Sequence, residues 1–308
     1  MKPYTIPLLV SLGFLCGGAL VYVVAPRTAA SESCDAVYRF LNADINCAEE
    51  EKEAARIETM EQAVTKYVRV AEETKKAMRV GVFYRDLESR KWFGVNELEP
   101  FTPASLLKIP LAIAYYKLAE VDASLLQQQL LYTHHPAVGP PFAAHLEDGS
   151  IQTVETLIEQ VLVHSDNNAT IALSTNLQGD YEHNVFFDLG VTAPDENVDY
   201  LSAKTYGAIF RALYNASYLR APYSEKILDS MSRASFREGL VAGVPSGTVV
   251  AHKFGYRINP DGTSELHDCG VVYHPKKPFI ICVMTEGSDP NMLKTVIADI
   301  ARLVWGIV

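Results

Sequence analysis

Basic residues are in short supply in this chain. Its 27 lysines and arginines stand against 37 acids, for a formal net charge of −10. A nucleic-acid-binding protein wants a basic face, so that balance argues against nucleic acid as a partner. No run of like charge is long enough to form a disordered tail, and there is no internal repeat or low-complexity tract. Metal-ligand patterns are missing too: His134, His135 and His145 fall close together, but no carboxylate or cysteine stands at ligand spacing beside them. No metal and no cofactor is therefore expected. What is present is a chain of 308 residues, 48% hydrophobic, with ample material for a large core.

From Ile6 to Ala25 charge is absent, with Lys2 before the run and Arg27 after it. A run of this length spans a bilayer, so residues 1–30 are expected to be an uncleaved anchor with the rest of the chain outside the cytoplasm. Thr28-Ala29-Ala30 offers a small-residue cleavage site, and cleavage there would make the protein secreted. Cysteine is scarce, five in all. Outside the cytoplasm disulfides are permitted, and Cys34 and Cys47 bracket a segment, residues 31–47, too short to hold itself folded. They are expected to pair. Cys269 and Cys282 lie on two strand-like runs around a turn at His274-Pro275-Lys276-Lys277, opposite each other, so a bond there is possible but not required.

Residues 48–308 read as one domain. Ala48 to Ala77 has the spacing of a long amphipathic helix, followed by strand-like runs at Val80–Arg85 and Lys91–Val95. Ala104 to Ala114 is almost wholly apolar and belongs inside the protein, yet it carries Ser105 and Lys108 one helical turn apart. At that spacing the amine reaches the hydroxyl, and burial lowers a lysine's pKa until it can accept the serine proton. Thr102 or Ser105 is placed to cap the helix. Val121 to Gly149 reads as a long loop, Thr153 caps a helix that ends at Val163–Asn168, and further helical patterns follow. Strands return at Thr248–Phe254, Gly270–His274 and Phe279–Thr285, before a last helix from Asn291. The expected fold is α+β: one antiparallel sheet built from both ends of the domain, flanked by the first and last helices, with an inserted helical subdomain and the site in the crevice between them.

Three short motifs occur in order: Ser105-Leu106-Leu107-Lys108, Ser165-Asp166-Asn167 and Lys253-Phe254-Gly255. Together they resemble the S-x-x-K, S-D-N and K-T-G positions of penicillin-recognising serine enzymes, and the domain is similar to class A β-lactamases. The resemblance implies that Ser105 is the nucleophile and Lys108 its proton acceptor. It implies that Ser165 relays the proton to the leaving nitrogen beside Lys253, and that Asn167 holds the substrate amide. Gly255 and Tyr256 line the site, with the N–H groups of Ser105 and Tyr256 forming the oxyanion hole. A cationic Lys253 suits substrates ending in a carboxylate, as β-lactams and D-alanyl peptides do.

Two positions depart from the pattern. Phe254 replaces the threonine of K-T-G. No E-x-x-L-N segment stands between the second and third motifs; Phe187 to Asp199 reads as a shortened loop in its place, with Glu196 the one candidate for a deacylation base. The expected function is a monomeric, membrane-anchored serine hydrolase acting on a small β-lactam through an acyl-enzyme. A D,D-peptidase-like or other amide or ester hydrolase is the first alternative, and a non-catalytic cell-wall-binding domain is the alternative of another class.

Overall fold

The computed structural model describes residues 47–135, 146–177, 179, 181–190 and 200–308. The expected anchor, Cys34 with its pairing to Cys47, His145 and Glu196 lie outside the described residues. No helix among the described residues is long and apolar enough to cross a membrane. The chain divides into two units, Met1–Glu53 and Ala54–Val308. Of the first, only the opening of helix α1 (Cys47–Glu73) is described. The second carries everything that follows.

Five antiparallel strands form one sheet in the order β2-β1-β7-β6-β5. They are β1 (Arg79–Asp86), β2 (Trp92–Val95), β5 (Val250–Ile258), β6 (Ser264–Val272) and β7 (Phe279–Gly287). The sheet is assembled from both ends of the domain, as the distribution of strand-like runs predicts. β6 and β7 are buried along almost their whole length, which follows from covering both faces of the sheet with helices. On one face Met60, Val64 and Val68 of α1 meet Val296, Ile300 and Val304 of the last helix, α8 (Pro290–Ile307). On the other face lies the helical part, centred on α2 (Lys108–Ala119), in which Lys108 to Tyr116 are buried without a break. A helix that is apolar all round has no solvent face, and this one runs through the core.

The remaining elements are β3 (Gln129–Leu131), β4 (Ile151–Thr153) and the helices α3 (Val154–Glu159), α4 (Asn167–Asn176), α5 (Tyr181–Asp188), α6 (Ala203–Tyr214) and α7 (Ala221–Ser232). Here the structure corrects several expectations. The first helix stops at Glu73 rather than Ala77, because Lys75 adopts a left-handed conformation and the Lys76 N–H closes back onto Ala71 O at 2.9 Å. The stretch from Val121 is no plain loop: a short 3-10 turn, Ala123–Gln127, leads into β3, which pairs with β4. β6 begins at Ser264, six residues before the apolar run that signals it, because Glu265, His267 and Asp268 are polar residues buried in a strand. Thr153 caps α3 as expected, accepting from the Thr156 N–H. Cys269 and Cys282 face each other in register and are both free, buried thiols.

Candidate active site

Ser105 sits in a 3-10 turn, Ala104–Leu107, that feeds directly into α2. No side chain caps either element, which corrects the expectation that Thr102 or Ser105 would do so. The turn is held from behind instead. Ala104 takes a left-handed conformation, φ 49°, which costs an L-residue roughly 1–2 kcal/mol and persists only where neighbours impose it. The Leu106 N–H donates to Pro103 O, and the buried Tyr206 hydroxyl donates to Leu106 O. His267, wholly buried on β6, accepts from the Thr285 N–H through Nδ1 at 3.2 Å, which makes Nε2 the donor to Thr102 O at 2.9 Å. Burial pushes its pKa down to about 4, so the ring is neutral and its tautomer fixed.

Ser165 lies at the end of a wider helical turn, Gln160–His164, and is itself left-handed with φ 57°. That kink ends one helix and lets the next begin at once. Asp166 caps α4 by accepting from the Asn168 and Ala169 N–H groups at 2.8 and 3.0 Å, while its other oxygen takes the Tyr132 hydroxyl at 2.8 Å. Asp166 thereby fixes the loop, and Ser165 and Asn167 on either side of it are left facing Lys108.

The third part is β5, an edge strand of the sheet. Lys253 is 1% exposed. Its amine donates to Ser165 Oγ at 2.8 Å and to Phe254 O at 3.1 Å. Phe254 is buried and stacked on Phe236 with ring centroids 4.5 Å apart, and the Lys253 amine lies 4.5 Å from the centre of its ring, so the residue at the K-T-G threonine position offers the amine an aromatic face in place of a hydroxyl. Gly255 lies against the Ser105 turn. A Cβ there would stand 2.7 Å from Pro103 O and 3.2 Å from a Leu106 carbon, too close for any side chain, so the glycine is what lets strand and turn meet. Tyr256 follows on the same edge, half-buried.

Ser105 and Lys108 do not meet as the helical spacing predicts. The Lys108 amine donates to Ser165 O at 2.6 Å, Ser165 Oγ at 3.1 Å and Asn167 Oδ1 at 2.5 Å, and none of its three acceptors is Ser105. The buried Ser165 carbonyl and the half-buried Asn167 amide oxygen are acceptors that need a donor, and the amine satisfies both. Burial holds the Lys108 pKa down to about 7, with the Asp166 charge working weakly in the opposite direction. Lys253 is lowered as well, first by burial and then by Lys108, while Asp268 pulls it back up. Two amines on one hydroxyl cannot both stay charged in a dry site: the three donated bonds belong to protonated Lys108, and on deprotonation two N–H groups remain for the Ser165 carbonyl and Asn167 Oδ1 while the lone pair is left as a base near neutrality.

Sequence reading overlooks the residues that support this geometry. His267, Tyr206 and Tyr132 lie outside all three motifs and act through the backbone or through Asp166. A second buried pair stands behind Lys253: His252 Nδ1 and Asp268 Oδ1 are 2.7 Å apart, and the other Asp268 oxygen accepts from the Leu240 N–H at 2.9 Å. The one available signal was the run of polar residues inside strand-like sequence, His252-Lys253 and His267-Asp268.

The sequence matches the model of the "Beta-lactamase enzyme family" over residues 60–308. No curated protein matches it. Similar solved structures include a class A beta-lactamase from Mycobacterium abscessus, 26% identical, with a TM-score of 0.69 over 78% of this chain and 97% of that one. TLA-1 extended spectrum beta-lactamase is 22% identical, with a TM-score of 0.71 over 82% and 98%. A mutant of PBP-A in its acyl-enzyme complex with penicillin-G is 20% identical, with a TM-score of 0.69 over 81% and 96%. The chain belongs to the beta-lactamase enzyme family and is a serine hydrolase with the mixed helix-and-sheet fold of its β-lactamase and PBP-A neighbours.

Proposed function

We propose that this hydrolase opens a β-lactam or a related amide through an acyl-enzyme on Ser105, working outside the cytoplasm with its N-terminal run as anchor. The observation that carries the reading is the convergence of Lys108 and Lys253 on Ser165 Oγ, with Lys108 held near pKa 7. Ser105 Oγ attacks the amide carbonyl and its proton passes to the Lys108 amine. The tetrahedral oxyanion is taken by the N–H groups of Ser105 and Tyr256, where loss of one donor typically costs about 3 kcal/mol of barrier. The proton then travels through Ser165 to the nitrogen, the C–N bond breaks, and the acyl group stays on Ser105. Asn167 keeps its amide N–H groups for the substrate, because its oxygen is committed to Lys108. An arriving carboxylate restores the charge on Lys253 and is bound by it.

A second reading keeps the chemistry and changes the substrate to a D-alanyl peptide. The missing E-x-x-L-N segment favours it, since a transferred acyl group then has no dedicated water-activating glutamate. A positioned general base is typically worth about 10² to 10⁴ in rate. Pre-steady-state turnover of a penicillin tests both. A stoichiometric burst followed by slow hydrolysis is expected, abolished in Ser105→Ala. Absence of any reaction with penicillins, with release of D-alanine from a D-alanyl-D-alanine peptide, would move the assignment to the second reading. Inertness toward both would overturn the hydrolase mechanism.

A further inference from the structure

A cavity of about 380 Å³ opens between β1, the β1–β2 turn and the C-terminal end of α6, lined by Arg85, Arg90 and Arg211. Other arginines of this acidic protein sit on carboxylates, among them Arg56 on Asp86, Arg79 on Glu286 and Arg233 on Glu159. The three at the cavity form no salt bridge among the described residues. They repel one another instead. Burial, then Arg211, then Arg90 push the Arg85 guanidinium below its ordinary pKa. The single acid on the cavity wall, Asp188, accepts from the Tyr218 hydroxyl at 2.7 Å.

The bland account is that Arg211 compensates the negative end of α6. That end carries only about half a charge, enough for one guanidinium and not for three. Arg90 occupies a left-handed position, φ 65°, in the β1–β2 turn, where glycine or asparagine is the easy choice. A long cation stands there instead and lines the cavity.

We propose that this cavity is a binding site for a small organic phosphate. The three guanidinium groups against one engaged carboxylate leave an excess of two positive charges, the complement of a phosphate monoester. Planar guanidinium forks bind tetrahedral oxyanions bidentately, and Asn215 and Ser217 add neutral donors on the same wall. Leu87 and Leu189 line the cavity as well and suit an organic substituent, and the volume lies in the range of small-molecule sites. The same phosphate chemistry is offered by a soluble ester and by a phospholipid headgroup.

The test is calorimetric titration of the full-length protein with sn-glycerol 3-phosphate, with glycerol as the uncharged control, beside flotation with vesicles of phosphatidylglycerol or of phosphatidylcholine alone. Saturable binding of the soluble ester but not of glycerol, weakened about tenfold or more in Arg211→Gln and in Arg90→Gln, is expected. Flotation with phosphatidylglycerol in excess of that with phosphatidylcholine, the excess lost in the same two variants, would support the phosphate site and assign its source to a lipid headgroup. Acylation of Ser105 by penicillin should be unchanged in both variants, which also reports that they are folded. No saturable binding in either arm, or binding undiminished in both variants, overturns the proposal.

Discussion

Lys108 and Lys253 donate to one atom: their amines lie 3.1 and 2.8 Å from Ser165 Oγ. Brought from a helix and from the far edge strand of the sheet, they make Ser165 the junction through which a proton can pass. Ser165→Gly removes the hydroxyl and, because glycine adopts φ 57° without penalty, leaves the loop conformation intact. Acylation by penicillin should fall about 10² or more while the thermal midpoint stays within a few degrees; a tenfold loss or less would remove Ser165 from the proton path.

Lys108→Ala should abolish acylation without unfolding the domain. An acylation rate within about tenfold of wild type, a barrier change of only some 1.4 kcal/mol, would exclude the role. The pH dependence gives a second readout. A base must be unprotonated, so acylation should rise with pH through the Lys108 pKa of about 7 and level off above it. The same depression makes the sign of the stability effect definite: between about 7 and the ordinary lysine value of 10.5 the unfolded chain binds a proton that the folded one does not. Lys108 therefore contributes a stability that rises with pH across that window and is lost as pH falls through 7.

Gly255→Ala places a methyl group against Pro103 O, so strand or turn must give way. The Ser105 turn, held by only a few hydrogen bonds, should move before the paired strand. Acylation is expected to drop more than about tenfold with the circular dichroism spectrum unchanged. Full activity in that variant would mean that the close approach of β5 to the turn is not needed.

Asp268→Ala strands the His252 ring nitrogen and the Leu240 N–H in the core, each loss worth about 1–3 kcal/mol. Urea unfolding should show a destabilisation of about 3 kcal/mol or more. A change below about 1 kcal/mol would mean that these groups find other partners.

Glu196→Gln is expected to change the slow release of the acyl group little, because a solvated acidic turn is the simpler reading of its surroundings in sequence. Loss of turnover in that variant would identify Glu196 as the missing base.

Most of the architecture was legible because it follows from apolar pattern. The almost wholly apolar Ala104–Ala114 segment could only be central, and the strand-like runs at the two ends could only meet in one sheet. What escaped was set by backbone geometry and buried polarity. Nothing local marks Ala104 and Ser165 as left-handed, yet these two residues aim the turn and the loop that carry the motifs. Nothing local says that Lys108 prefers Ser165 and Asn167 to Ser105, because the competing acceptors arrive from 57 and 59 positions away. β6 looks short in the sequence because its buried His267 and Asp268 resemble a loop until their partners, Thr102 and His252, are in place.

The central claim is covalent, and the intact mass of the protein after exposure to penicillin-G tests it most directly. A single adduct with the mass of the whole penicillin, mapped to the peptide carrying Ser105 and absent in Ser105→Ala, is the predicted result. No adduct on the wild-type protein at any time from the first turnover onward, while the penicillin is nevertheless hydrolysed, or an adduct that persists in Ser105→Ala, would contradict it.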